Sequence, residues 1–73
     1  MNKTIYTKGH KTLVEKLIKA RQDMGLKQED VAKFLGRTQS YVSKIESGQR
    51  RIDIMQLKEF AKIYKKSLDF FVK

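Results

Sequence analysis

Between residues 36 and 51 the chain reads GRTQSYVSKIESGQRR, a run of hydroxyl, amide and cationic side chains whose apolar members are Tyr41, Val42 and Ile45. Hydroxyls and amides can donate as well as accept hydrogen bonds, and Lys and Arg add charge, so the set suits recognition of a polar, anionic surface. Spacing sorts these residues further. At about 100° per residue, Tyr41, Val42 and Ile45 centre on one side of a helix, while Gln39, Ser40, Ser43, Lys44 and Ser47 centre on the other. A helix meant only to be wetted more usually carries Glu and Lys pairs at four-residue spacing. This one offers Gln and Lys instead, whose geometry matches adenine and guanine edges in the major groove, on a rod that fits the groove's width. An ordinary polar surface helix would share much of the pattern, so the rest of the chain has to decide.

Seventy-three residues make one small domain with a modest core, and a large catalytic cleft is not expected. No cysteine is present, which removes disulfides and thiolate metal sites and leaves four or five packed helices as the simplest way to close a core. Seventeen Lys and Arg stand against eight Asp and Glu, a net charge of +9. Such an imbalance costs self-repulsion and marks a polyanionic partner, with nucleic acid first, although solubility alone would also use lysines. Lysines are scattered throughout, so the local cluster Arg37, Lys44, Arg50 and Arg51 carries more information than the total. Catalysis finds little support: His10 has no cysteine to pair with and reads as an exposed helix-start residue, the carboxylates are spread singly apart from Glu29 and Asp30, and no phosphate-cradling glycine loop occurs. No metal, cofactor or small-molecule ligand is expected. The absence of a long apolar run argues against a signal peptide or a spanning helix, and the expected location is the cytoplasm.

These side chains need elements to position them, and glycines at 25, 36 and 48 divide the chain into helix-length pieces, each falling where a left-handed stop is wanted. The first piece, from about residue 8 to 24, places Leu13, Val14, Leu17, Ile18 and Met24 at helical spacing. The second, KQEDVAKFLG, puts Glu29 and Asp30 at the positive end of the helix dipole and turns Val31, Ala32 and Leu35 inward. Thr38 caps the third. Asp53 and Gln56 have capping-box spacing at the start of the fourth, which repeats Leu57, Phe60, Ala61 and Tyr64. Ser67 can cap a last turn holding Leu68, Phe70 and Phe71. The alternation of strands is absent, so the expected class is all-α, with residues 1–7 as a flexible N-terminal arm and residues 8–73 as the domain.

Ala32 is small where two helices joined by a tight turn must approach, Gly36 supplies positive φ, and Val31, Leu35, Val42 and Ile45 face a common core. From Gln28 to Ser47 the sequence resembles the helix-turn-helix unit of the Cro and phage-repressor type regulators, the XRE-like family. The pattern GLKQEDVAKFLG, QSYVSKIESGQRR and LKEFAKIYKKSLDFF extends the resemblance from about Leu13 to Phe71. The resemblance implies a compact five-helix, lambda-repressor-like domain that binds double-stranded DNA and regulates transcription, most often as a repressor. It implies base contacts from Gln39, Ser40, Ser43 and Lys44. Backbone contacts would fall to Gln28, Thr38 and Tyr41, and to Ser47, Gln49, Arg50 and Arg51 in the loop that follows. It further pairs Arg21 with Glu46, and gives the protein a two-fold or pseudo-two-fold operator bound by a homodimer.

Three features depart from the family pattern. Lys27 stands where Thr or Ser usually caps the second helix, which should weaken its start by roughly 1 kcal/mol while offering a phosphate contact. Arg37 replaces a common Val or Ile and is expected to point outward to the backbone. Ile52 and Asp53 stand in the loop where proline is frequent. The rival reading is a basic helical protein-interaction or membrane-surface module built on Lys58, Lys62, Lys65, Lys66 and the Phe70–Phe71 pair. For it to hold, the aromatics would have to be exposed rather than packed.

Overall fold

A computed structural model describes residues 8–72, with only the backbone of Lys8, so the N-terminal arm expected over residues 1–7 lies outside the described residues. Five helices follow in order: α1 (Lys8–Asp23), α2 (Gln28–Leu35), α3 (Gln39–Glu46), α4 (Ile54–Tyr64) and α5 (Leu68–Val72). There is no strand among the described residues.

The first four helices end in the same way, because in each the orphan carbonyls of the last turn are met by two backbone N–H groups that double back. Leu26 and Gly25 donate to Arg21 and Gln22, Arg37 and Gly36 to Ala32 and Lys33, Gln49 and Gly48 to Lys44 and Ile45, and Lys66 and Lys65 to Ala61 and Lys62. The motif needs one residue in the left-handed region. Gly25, Gly36 and Gly48 supply it at φ 69, 69 and 82°, and Lys65 supplies it at 56°. Lys65 is the stop that the glycine spacing could not foresee.

Helix starts vary more. At α4, Gln56 N–H donates to Asp53 Oδ1 at 2.8 Å and Asp53 N–H to Gln56 Oε1 at 2.9 Å, so both halves of the capping box form. Lys27 has no acceptor to offer at the start of α2. Asp30 partly compensates, its Oδ2 accepting the Lys27 N–H at 2.9 Å.

The core gathers Leu17 and Ala20 of α1, Val31 and Ala32 of α2, Val42 and Ile45 of α3, Leu57, Phe60 and Tyr64 of α4, and Phe71 of α5. Met24 lies beyond the end of α1 and is exposed. Helix α3 packs on α2 and α1, which brace it from behind, and α5 closes against α1 and α4. Phe70 meets Phe71 edge-on at 5.0 Å and lies under the Lys66 ammonium at 4.8 Å. Phe60, Tyr64 and Phe71 are therefore core residues and Phe70 is half-buried, so the aromatics on which the membrane-surface reading was built are packed and not displayed. No helix among the described residues is long and apolar enough to cross a membrane.

Candidate nucleic-acid interface

Helix α3 has two sides set by its sequence. Tyr41, Val42, Ile45 and Glu46 are buried, whereas Gln39, Ser40, Ser43, Lys44 and Ser47 are exposed. Its first turn is fixed by Thr38, whose Oγ1 accepts the Tyr41 N–H at 3.3 Å. The exposed side carries no carboxylate.

The buried carboxylate of Glu46 would be unfavourable alone, since it lies at the negative end of α3's dipole and away from water. Arg21 neutralises it in a fork: Nε donates to Oε2 at 2.8 Å and Nη2 to Oε1 at 3.1 Å. Nη1 of the same guanidinium donates to the Leu26 carbonyl at 2.9 Å, tying the pair to the stop of α1. Hydrogen bonding to Glu46 raises the Arg21 pKa, against the lowering effect of burial.

Gln28 joins this network rather than standing apart. Its Nε2 donates to Glu46 Oε1 at 2.9 Å and its Oε1 accepts from Gln39 Nε2 at 3.5 Å, so the first residue of α2 and the first of α3 are linked above the ion pair. One N–H of each amide remains for a further acceptor, because each NH2 carries two hydrogens. Tyr64 lies beneath, fully buried, its hydroxyl without a hydrogen-bond partner. Burial first, then the charge of Glu46, pushes its ionisation well above the ordinary tyrosine range.

The opposite flank is cationic and unpaired. Arg37, Lys44, Arg50 and Arg51 are exposed and have no ion pair among the described residues. The Lys44 carbonyl accepts from Gln49 N–H at 3.0 Å, Arg50 N–H at 3.2 Å and Ser47 Oγ at 3.1 Å, which folds the loop back on the last turn of α3. That fold carries Arg50 to Tyr41. The guanidinium carbons of Arg37 and Arg50 lie 4.7 and 5.0 Å from the Tyr41 ring centroid, beside an open cleft that Lys44 also lines. Arg37 does point outward, and Tyr41, only 7% exposed, is covered. Lys27, Ser47 and Gln49 are exposed. His10 is half-buried in the first turn of α1, not exposed.

The structure thus places Gln39, Ser40, Ser43 and Lys44 on one exposed face, with Arg37, Thr38 and Arg50 around the cleft that Lys44 lines; Tyr41, expected at the backbone, is instead buried under the two arginines. The helix-turn-helix family model matches residues 17–71. The chain belongs to the Cro/C1-type helix-turn-helix family, the XRE family. It is therefore a DNA-binding protein of the transcription-regulator class. No curated protein matches the chain. Two features escaped the sequence reading. The Gln28 bond to Glu46 depends on how α2 crosses α3, and the Tyr41 shelf depends on the Gly48 turn; the nearest signal was an aromatic residue at the edge of the inner side of α3, four positions after an arginine.

Proposed function

We propose that the protein is a repressor that occupies a two-fold or pseudo-two-fold operator as a homodimer, each copy seating α3 in the major groove. Gln39, Ser40, Ser43 and Lys44 read base edges. Lys27, Gln28, Arg37, Thr38, Ser47, Gln49, Arg50 and Arg51 approach the sugar-phosphate backbone, with Tyr41 behind the arginines. The observation that carries this reading is the exposed carboxylate-free face of α3, flanked by cations that no acid of the described residues neutralises. Base-edge donors and acceptors supply specificity, and unpaired cations supply counterion-release affinity. Gln39 is held in line by Gln28, which limits the rotamer freedom it loses on docking.

Pairing of copies is supported by Ile54 and Met55, 54 and 64% exposed at the start of α4, directly after the loop that carries Arg50 and Arg51. Two domains on one face of a duplex must lie about one helical turn apart, so such a contact would set half-site spacing. No sensor pocket or cofactor is required: occupancy follows from concentration, and the working compartment is the cytoplasm.

Selection of bound sequences from a random duplex pool tests the reading, together with amide chemical-shift mapping on the selected duplex. Two half-sites related by symmetry should emerge, and the shifts should centre on residues 38–51. A selected duplex that leaves Gln39 to Ser47 unperturbed would sink the proposal, as would binding to anionic vesicles but not to duplexes at matched salt.

A further inference from the structure

Arg37 leaves the turn after α2 and Arg50 the loop after α3, yet both guanidiniums lie over the ring of Tyr41, at 4.7 and 5.0 Å. Neither has an acidic partner among the described residues. Two cations brought to one ring repel each other, and an exposed ring contact compensates only modestly. An anion touching both would turn that repulsion into a paired, charge-assisted contact. The cleft beside them, about 350 Å³, is lined also by Thr38 and Lys44 and opens at the first turn of α3, where the helix dipole favours negative charge. Thr38 Oγ1 already accepts the Tyr41 N–H, so its remaining O–H proton can be donated into the cleft.

We propose that Tyr41 is a positioning residue whose ring fixes Arg37 and Arg50 as a two-pronged clamp for a single phosphate group. The ring is 7% exposed and lines the cleft beneath the two guanidiniums, so its part is to hold them and not to bind the phosphate itself. Its advantage is entropic and geometric: a planar guanidinium stacked on an aromatic face loses less freedom when it binds phosphate than one swinging in water. Lys44 lines the clamp's cleft and also belongs to the base-reading face, so register on the backbone and register on the bases are set together. The clamp's use on an operator rests on the reading above, but its assembly on Tyr41 and its affinity for phosphate do not.

The test uses the full chain, with the arginine Nε–Hε signals followed by NMR. Inorganic phosphate, added at matched ionic strength against chloride, should move Arg37 and Arg50 together with one apparent constant. Tyr41→Phe keeps the ring and should behave as the parent. Tyr41→Leu keeps an apolar side chain and should weaken the response by about three- to tenfold, the size of one or two ring contacts. On a selected duplex, Arg37→Ala should cost about tenfold in the parent and in Tyr41→Phe, but under about threefold in Tyr41→Leu, the difference being the lost ring contact. An equal cost in all three backgrounds, or guanidinium signals unmoved by phosphate, overturns the clamp. If phosphate is clamped and no duplex binds, the clamp stands and the operator reading fails. Should Tyr41→Leu not fold, Arg37→Ala alone decides: phosphate must then lose its grip on Arg50, and an unchanged Arg50 response overturns the proposal.

Discussion

On one flank of α3, Glu46 has a side chain 5% exposed and is bonded to Arg21 and Gln28; on the other, Arg37 and Arg50 lie over Tyr41 with no acid beside them. Both flanks orient the same helix, but by opposite electrostatic means. The first closes its charge internally, so it fixes how α3 sits against α1 and α2 while adding little field outside. The second leaves its charge open and relies on an aromatic shelf and a backbone turn for order, so its field is available to a polyanion. Loss of a bonded partner on the closed flank should appear as lost stability, and loss of a cation on the open flank as lost binding.

The sharpest way to break that contrast is Arg21→Met. It leaves a buried carboxylate uncompensated, and urea titration should show a loss of about 3–5 kcal/mol, whereas Arg21→Met with Glu46→Leu should recover most of it. A single-variant loss under about 1 kcal/mol would mean that Glu46 finds water and that the flank is not closed. Arg37→Ala, by contrast, should leave the urea midpoint within about 0.5 kcal/mol of the parent, as for other surface changes.

On the open flank the effects move to the duplex. Lys44→Ala should cost about 1–3 kcal/mol on the selected operator and relax preference at one position per half-site. Arg51→Ala should weaken every duplex alike and reduce the slope of log affinity against log salt by about 0.9, one phosphate's worth. Competition binding over a panel of single-base variants separates the two. Uniform losses for Lys44→Ala would move it from base reading to the backbone, and so to the clamp alone.

Tyr64 probes the closed flank from below. Its hydroxyl is buried without a partner, so Tyr64→Phe should raise stability by about 1 kcal/mol. A pH signature accompanies it. The folded state holds the Tyr64 proton above the ordinary value of 10.0, where the unfolded chain gives it up, so this proton's contribution is fully present below that value and is lost as pH rises beyond it. Urea midpoints at about pH 9 and about pH 11 should therefore fall more steeply for the parent than for Tyr64→Phe, in line with that linkage. Parallel curves would show that the hydroxyl is solvated after all.

How much of this could be seen in the sequence follows from how local each cause is. Positive φ at a helix stop is a property of one residue, so Gly25, Gly36 and Gly48 marked the ends of α1, α2 and α3. Lys65 adopts the same conformation at a cost of about 1–2 kcal/mol for an L-residue. Nothing in its side chain announces this. The following Lys66 reaches Phe70 and Asp23, so packing of α4 against α5 and α1 over-determines the turn. The polar and apolar sides of α3 were legible because 100° periodicity is intrinsic to a helix. The meeting of Arg21 with Glu46, 25 residues apart, came through family resemblance and not periodicity. Arg50 on Tyr41 came through neither, since it needs the loop to double back at Gly48.

The smallest effect lies where the two flanks' demands meet in one residue. Lys27 occupies the cap of α2 without an acceptor, so the helix start relies on Asp30 closing on the Lys27 N–H. Lys27→Ser restores the missing half of the box by accepting the Asp30 N–H, and should raise stability by about 0.5–1 kcal/mol. The same change removes an exposed cation next to Gln28, and on an operator it should lower the salt slope by about 0.9 if the ammonium meets a phosphate. Thermal unfolding and a salt series on one duplex read the two effects separately. A gain in stability with an unchanged slope would confine the open flank to Arg37, Lys44, Arg50 and Arg51. A gain accompanied by a lower slope would show that the family's usual cap was given up here for charge facing the duplex.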